Sequence, residues 1–249
     1  MKLALFADLH GNLEAMIACL AHASALGADR HAFLGDLVGY GADPVAVLDL
    51  IEDYAAGGAF VVRGNHDDAA LGTGIEQLNP NAQVAIHWTR TQLGGKQQAF
   101  LAGLPYVARD AAHDLLFVHA SARQPALWAY VTDSKQAYES VQAANANYVF
   151  CGHVHEPQLY YTGADGRSTP FKPVVGTPIP AAKHRRWLAI VGSAGQPRDG
   201  NNAACYAFFD TARERITFFR VPYDHQAAAH KIRAAGLPER LAVRLERGR

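Results

Sequence analysis

The stretch Gly64-Asn65-His66-Asp67 decides how this chain is read, because four other short pieces make chemical sense only when gathered around it. They are Asp8-Leu9-His10, Gly35-Asp36, His119 and Gly152-His153-Val154-His155. Each follows a short apolar run with the character of a β-strand, at residues 3–7, 32–34, 60–62, 115–118 and 148–151. Open α/β sheets bind ligands in the crevice beyond the carboxyl ends of their strands. All five pieces therefore point into one crevice.

The crevice gathers Asp8, His10, Asp36, Asn65, His119, His153 and His155. Imidazole suits zinc and iron, whereas carboxylate and amide oxygen suit magnesium and manganese. A mixed oxygen and nitrogen set without thiolate argues for manganese, iron or zinc in an open catalytic site. Asp8/His10 and His153/His155 are each two apart, and residues i and i+2 of an extended segment face the same way. Each pair can thus present both donors to one point. Seven donors exceed the needs of one ion, so two metals sharing a carboxylate is the economical reading, as in phosphatases and nucleases. Taken singly, each piece has an ordinary explanation: Asp8 and Asp36 as helix caps, His119 as a core histidine, Gly64–Asp67 as a turn. Those explanations do not account for all five pieces falling at strand ends on one side.

The order D-x-H, G-D, G-N-H-D, a lone His and G-H-x-H resembles the calcineurin-like metallophosphoesterase superfamily, from residue 1 to about residue 221. Residues 35–41, 87–90 and 192–200 resemble a bacterial branch of small phosphodiesterases and dinucleoside-polyphosphate hydrolase-like proteins. The resemblance implies an α/β fold, a four-layer α/β/β/α sandwich of two mixed sheets flanked by helices. It implies that Asp8, His10 and His155 hold one metal, that Asp36 bridges, and that Asn65, His119 and His153 complete the second position. A hydroxide between two divalent ions, manganese before iron or zinc, would be the nucleophile. His66 would protonate the leaving oxygen as general acid, its ordinary pKa of about 6.5 suiting that task. One departure matters. Phosphoprotein phosphatases read G-D-x-V-D-R-G after the bridging aspartate, and the second aspartate supports the acid histidine. Here Gly39 and Tyr40 stand in place of that aspartate and arginine. A phosphodiester or nucleotide pyrophosphate with a good leaving group is thereby favoured, over the alternatives of a phosphomonoesterase or phosphoprotein phosphatase and of a non-catalytic metal-bound scaffold.

Among cations that could clamp phosphate, Arg63, Arg123 and Arg198 are candidates, and Arg123 and Arg198 rank first because their loops adjoin the ligand strands. Tyr40, Trp88, Trp128 and Tyr130 could stack on a nucleobase, with core packing the competing role. The expected partner is a small phosphorylated substrate, nucleotides included; oligomeric state is left open.

The 249 residues carry no net charge by count, so no whole-chain field attracts nucleic acid or an anionic membrane. Three widely spaced cysteines without C-x-x-C spacing, and a start directly on a strand-like run, lead us to expect a cytoplasmic protein without a membrane span. With neither repeat nor low-complexity linker, residues 1–249 read as a single domain. Helices are expected at 12–26, 43–55, 81–91, 96–101 and 134–144, those within 68–103 forming a helical insertion beside the crevice. Beyond residue 158, short strands at 158–162, 173–175, 187–191, 203–210 and 216–222 follow one another without helices, the pattern of an antiparallel half. A helical tail at about 223–249 closes the chain, with helices at 226–235 and 238–248.

Overall fold

A computed structural model describes residues 1–163 and 166–249. In chain order, its first half comprises β1 (Lys2–Phe6), α1 (Leu13–Ala25), β2 (Arg30–Leu34), α2 (Pro44–Ala56), β3 (Phe60–Val62), α3 (Asn65–Leu71), α4 (Pro80–Gln92), α5 (Gly95–Gly103), β4 (Val107–Asp110), β5 (Leu115–Val118), α6 (Ser134–Ala144) and β6 (Tyr148–Cys151). Then follow β7 (Gln158–Thr162), β8 (Ser168–Phe171), β9 (Ile179–Pro180), β10 (Arg186–Ile190), β11 (Ala204–Asp210), β12 (Arg215–Val221), α7 (His225–Ala234) and α8 (Glu239–Arg247). The strands form two six-stranded sheets, ordered β3-β2-β1-β11-β12-β9 and β4-β5-β6-β10-β7-β8. Each has a parallel core, β1–β2–β3 in one and β5–β6–β10 in the other, extended by antiparallel strands. Both are mixed, as the four-layer sandwich requires.

The layers follow from period-two alternation. In β1, Leu3 and Leu5 face the opposite sheet, while Ala4 and Phe6 face the helices. In β6, Tyr148 and Phe150 join the inter-sheet core, and Val149 and Cys151 meet α6. The inter-sheet layer is aromatic: Phe150 lies 5.6 Å from Phe209 and 6.0 Å from Phe117, and Phe117 lies 4.7 Å from Phe60. Each such ring contributes about 1.5–3 kcal/mol by leaving water. Helix starts are chemically marked. The Asn12 side chain accepts from the Ala15 N–H, Asn79 caps α4 in the same way ahead of Pro80, and Pro44 occupies the first turn of α2.

Three expectations change. The stretch Gly64–Asp67 is more than a turn, since α3 begins at Asn65. The late strands are no antiparallel half: β7, β8 and β10 enter one sheet and β9, β11 and β12 the other, with β10 parallel to β6. Residues 173–175 form no strand. Val174 and Val175 are exposed, and the pairing is made instead by β8 and β9, both sheet-edge strands that carry proline. An edge strand needs only one row of N–H donors, so proline is tolerated there. No helix among the described residues is long and apolar enough to cross a membrane.

Phe150→Ala should cost about 3–5 kcal/mol in a urea titration, because the inter-sheet layer cannot collapse around the lost ring. Phe171→Ala, on the exposed face of β8, should cost less than about 0.5 kcal/mol. Equal costs would contradict the assignment of Phe150 to the shared core.

Candidate metal centre

The carboxyl ends of both parallel cores meet on one side of the sandwich. Asp8, Asp36 and Asn65 follow β1, β2 and β3, while His119, His153 and His155 follow β5 and β6. Backbone bonds lock these loops together. The Asp8 N–H donates to Gly35 O, the His10 N–H to Asp36 O, the Gly152 N–H to His119 O, and the Ala194 N–H to Ala7 O. The His153 N–H reaches both Asp8 carboxylate oxygens at 3.0 and 3.1 Å, joining the two sheets at the ligands themselves.

All seven expected donors are brought together in two nests. Ligating atoms of Asp8, His10, Asp36 and His155 lie within 4.8 Å of one another, as do those of Asp36, His119 and His153. Asn65 Oδ1 adds to the second nest, 3.2 Å from His119 Nε2. Asp36 belongs to both. Its Oδ1 accepts from the His66 N–H in the first turn of α3, while Oδ2 lies 3.7 Å from His10 Nε2 and 3.4 Å from His119 Nε2. Gly64 permits this approach, because a Cβ there would stand 2.2 Å from the Asp36 nitrogen.

The convergence of Asp8 with His10 and of His153 with His155 has a different cause from the expected one. Asp8, His10, Asp36, His153 and His155 all have left-handed backbone, with φ between 48° and 68°. Left-handed turns, rather than strand alternation, aim these side chains. Non-glycine residues adopt such conformations at a cost and hold them where the surroundings enforce them, as functional sites do.

The donor chemistry fits divalent ions. Nδ1 of His10, His119 and His155 faces the carbonyls of Val38, Leu34 and Gln196 at 3.2, 2.7 and 2.7 Å. A carbonyl only accepts, so each Nδ1 carries a proton, and each ring in its neutral form offers an Nε2 lone pair. The lone pairs of His10 and His155 face each other across 3.1 Å, an arrangement that a shared cation satisfies and a hydrogen bond between neutral rings does not. Burial holds His10 and His155 well below the ordinary imidazole range and His153 at about 3, so these rings are neutral ligands. The carboxylates ask for positive charge. Burial pushes Asp8 up to about 7. Burial also opposes ionisation of Asp36, yet the charges of His119 and His66 hold it well below the usual range. Burial disfavours a charged His119, but Asp36 and Asp8 outweigh it and raise that ring to about 9. On the protein's own groups, then, one protonated imidazole serves carboxylates that two divalent ions would serve better.

His66 lines the adjoining cavity of about 370 Å3 together with Asp36, Asn65, Tyr40 and Arg198. Its pKa departs from expectation. Burial, then the charges of Arg198 and His119, lower it to about 4 despite Asp36. Nδ1 of His66 is buried without a partner, and a Cβ on Gly39 (φ 88°) would lie 2.5 Å from it, so with the ring in this position Gly39 leaves no space for a side chain. Arg123 does not join the site: its guanidinium bonds Glu139 at 2.7 Å on the surface, with the side chain 64% exposed. Arg63 is likewise engaged, with Asp68 at 3.1 Å. Trp88 packs against the helical core around Tyr40 rather than lining the cavity. Tyr130 stacks on His153 at 4.0 Å, and Trp128 meets His119 edge-on at 5.7 Å.

Two contributors went without a role in the sequence reading. Asp67 accepts from the N–H groups of Leu37, Val38 and Gly64, tying the Asp36 loop to the start of α3. Its place as last letter of G-N-H-D was the available signal. Gln196 orients His155 through its carbonyl, and its Oε1 accepts from Nε and an Nη of Arg198 at 3.3 and 2.9 Å. Gln196 lies in the 192–200 stretch that carries the branch resemblance, but its residue type and spacing do not disclose this role.

A family model for the calcineurin-like phosphoesterase superfamily domain matches residues 1–214. The chain is 33% identical over 250 residues to uncharacterized protein MJ0912 of Methanocaldococcus jannaschii, covering 99% of this chain and 98% of that one. Among solved structures it resembles a metallophosphoesterase from Sphaerobacter thermophilus, with 34% identity, a TM-score of 0.88, and coverage of 100% and 99%. A hypothetical protein from Pyrococcus horikoshii shares the fold at 19% identity, with a TM-score of 0.79 and coverage of 100% and 98%.

Two outcomes follow from the geometry. Asp36→Asn should weaken both metal positions by about 10–100-fold, whereas His155→Ala should spare the His119/His153 position; metal analysis after dialysis separates them, and equal retention would argue against a bridge. An entering ion must also displace the His119 proton below about pH 9 and that of Asp8 below about pH 7, so manganese affinity should rise about tenfold per pH unit between about pH 7 and about pH 9 and more steeply below. A flat calorimetric profile would mean the ring is already neutral.

Proposed function

This chain belongs to the calcineurin-like phosphoesterase superfamily, and we propose that it is a dinuclear metal-dependent phosphoesterase of its small-phosphodiesterase and dinucleoside-polyphosphate hydrolase-like branch. Its substrates are small phosphodiesters or nucleotide pyrophosphates. The observation that carries the reading is Asp36, shared by two nests of donors at the wall of a cavity that also presents His66 and Arg198.

Asp8, His10 and His155 would hold one ion and Asn65, His119 and His153 the other, with Asp36 available to both. For this mixed set of three oxygen and four imidazole donors manganese comes first, with iron and zinc as the compatible alternatives. When bound, two such ions supply an acidified water and take up charge on phosphoryl oxygens. The protein's own part is orientation, exclusion of water and proton transfer. The nests are almost wholly buried, so their fields act at low dielectric. His66 is the proton donor to the leaving oxygen. Its free ring, held at about 4, is neutral at pH 7. An anionic phosphoryl group beside it favours the charged ring and raises its pKa. A weakly basic leaving group asks least of such a donor, which supports activated diesters and pyrophosphates over phosphoserine. The room denied at Gly39 supports the same preference. Arg198 is the cation offered to substrate. Three buried, unpaired cysteines support a reducing, cytoplasmic setting.

The test is protein stripped with chelator, reloaded with manganese, and assayed on bis-(p-nitrophenyl) phosphate, the monoester and a dinucleoside tetraphosphate. Metal-restored turnover of the diester or dinucleotide is expected. Turnover of the monoester alone would reverse the preference argued from Gly39; two bound ions without any turnover would leave a metal-bound scaffold. His66→Ala should keep both ions and slow turnover by about 10²–10⁴.

A further inference from the structure

Several arginines are paired with acids: Arg63 with Asp68, Arg220 with Asp199, Arg233 with Glu239 and Glu246. Arg198 and Arg244 converge on one aromatic ring. Among the described residues neither has a carboxylate partner, yet both lie over the same ring. The guanidinium carbon of Arg198 is 5.5 Å from the Tyr40 centroid and that of Arg244 is 6.0 Å away. One Nη of Arg244 is buried without an acceptor. Two like charges so placed repel, and the protein supplies no anion between them. Burial and then the Arg198 charge lower the pKa of Arg244, the electrostatic trace of that crowding.

The placement is enforced. Arg244 stands on α8, whose Leu241 and Leu245 are buried in one cluster with Tyr40, and Asn202 donates to the Glu246 carbonyl on the same helix. Arg198 is fixed to the metal centre through Gln196, which is 1% exposed and holds both His155 and the Arg198 guanidinium. Gln196 engages only two of the five guanidinium N–H donors, leaving others for the cavity that Arg198 lines. The Arg198 charge bears on Asp8, His10, His66 and His155, which puts it beside the nests. The cavity, about 370 Å3, has the size of a small-molecule pocket.

We propose that Arg198, with Arg244 as its positioning residue on α8, forms an anion subsite beside the metal centre that takes a second phosphoryl group of the substrate. The two ions neutralise the phosphoryl group under attack, and the arginine pair neutralises its neighbour. The substrate class is therefore one with adjacent phosphoryl groups, a nucleotide pyrophosphate or polyphosphate rather than an isolated diester. This rests on the phosphoesterase reading above and narrows it. Arg244 acts through Tyr40 and Arg198: its charge keeps the Arg198 guanidinium turned from the helical side toward the cavity and adds to the positive potential there.

The experiment is calorimetric binding of AMP and of α,β-methylene-ADP to manganese-loaded protein. The methylene bridge resists hydrolysis, so the subsite is read whether or not the protein turns over any ester; failure of the hydrolytic reading and failure of the subsite are thus separate results. Wild type should bind the methylene diphosphate at least about tenfold more tightly than AMP, the worth of one charge-assisted contact. Arg198→Gln should remove most of that ratio with metal content unchanged. Arg244→Gln should lower the ratio by about threefold or more and flatten its dependence on salt, while Arg244→Lys, which keeps the charge, should restore it. Absence of a preference in wild type overturns the proposal. So does an equal loss of both ligands in Arg198→Gln, and a loss in Arg244→Lys as complete as in Arg244→Gln would reduce Arg244 to packing.

Discussion

A carboxylate held between two groups of imidazoles, out of reach of water, is the constraint on which the rest of this molecule depends. Asp36 places one oxygen on the first turn of α3 and turns the other toward His10 and His119. Taken alone, such a group is costly to bury as an anion. The chain accepts that cost, and with it five left-handed ligand residues, because every neighbouring loop is fixed by backbone and side-chain bonds to its counterpart. Asp67 shows how far this goes: a buried acid whose role is to hold a loop rather than an ion.

The sandwich makes that concentration of donors possible. Parallel strands deliver all their carboxyl ends to one side, and two parallel cores packed face to face bring two such sets of ends together. The aromatic layer between the sheets sets their separation, and so the distance across the donor nests. Of the strands from the latter half of the chain, β7, β8, β9 and β12 widen the sheets without contributing a donor. The loop after β10, the third strand of its parallel core, contributes Gln196 and Arg198.

The donors were legible in the sequence because each sits in a short motif whose meaning is local: a strand, then a turn, then a side chain with lone pairs. What was not legible depends on partners remote in the chain. The engagement of Arg123 by Glu139 requires α6 to lie beside its loop. The lowered pKa of His66 comes from Tyr40, His10 and Arg198 enclosing it, none of which its own neighbourhood discloses. The partition of the late strands failed for a related reason, as alternation identifies a strand without naming its neighbour. Val174 and Val175 misled by composition, since apolar character alone does not supply a pairing partner.

The position of β11 has a consequence for how the molecule comes into being. It pairs with β1, so the sheet that carries Asp8, Asp36 and Asn65 is not complete until residues near 210 have left the ribosome. The loop that orients His155 is also made late, around residue 196. The donor set that Asp8, His10 and Asp36 share with His153 and His155 is therefore completed only when the latter half of the chain has joined the sandwich. Such sequence-distant pairing is slow to form. The order of the strands in the chain thus makes the donor nests a late product of folding, dependent on the pairing of β1 with β11 and on the loop at Gln196.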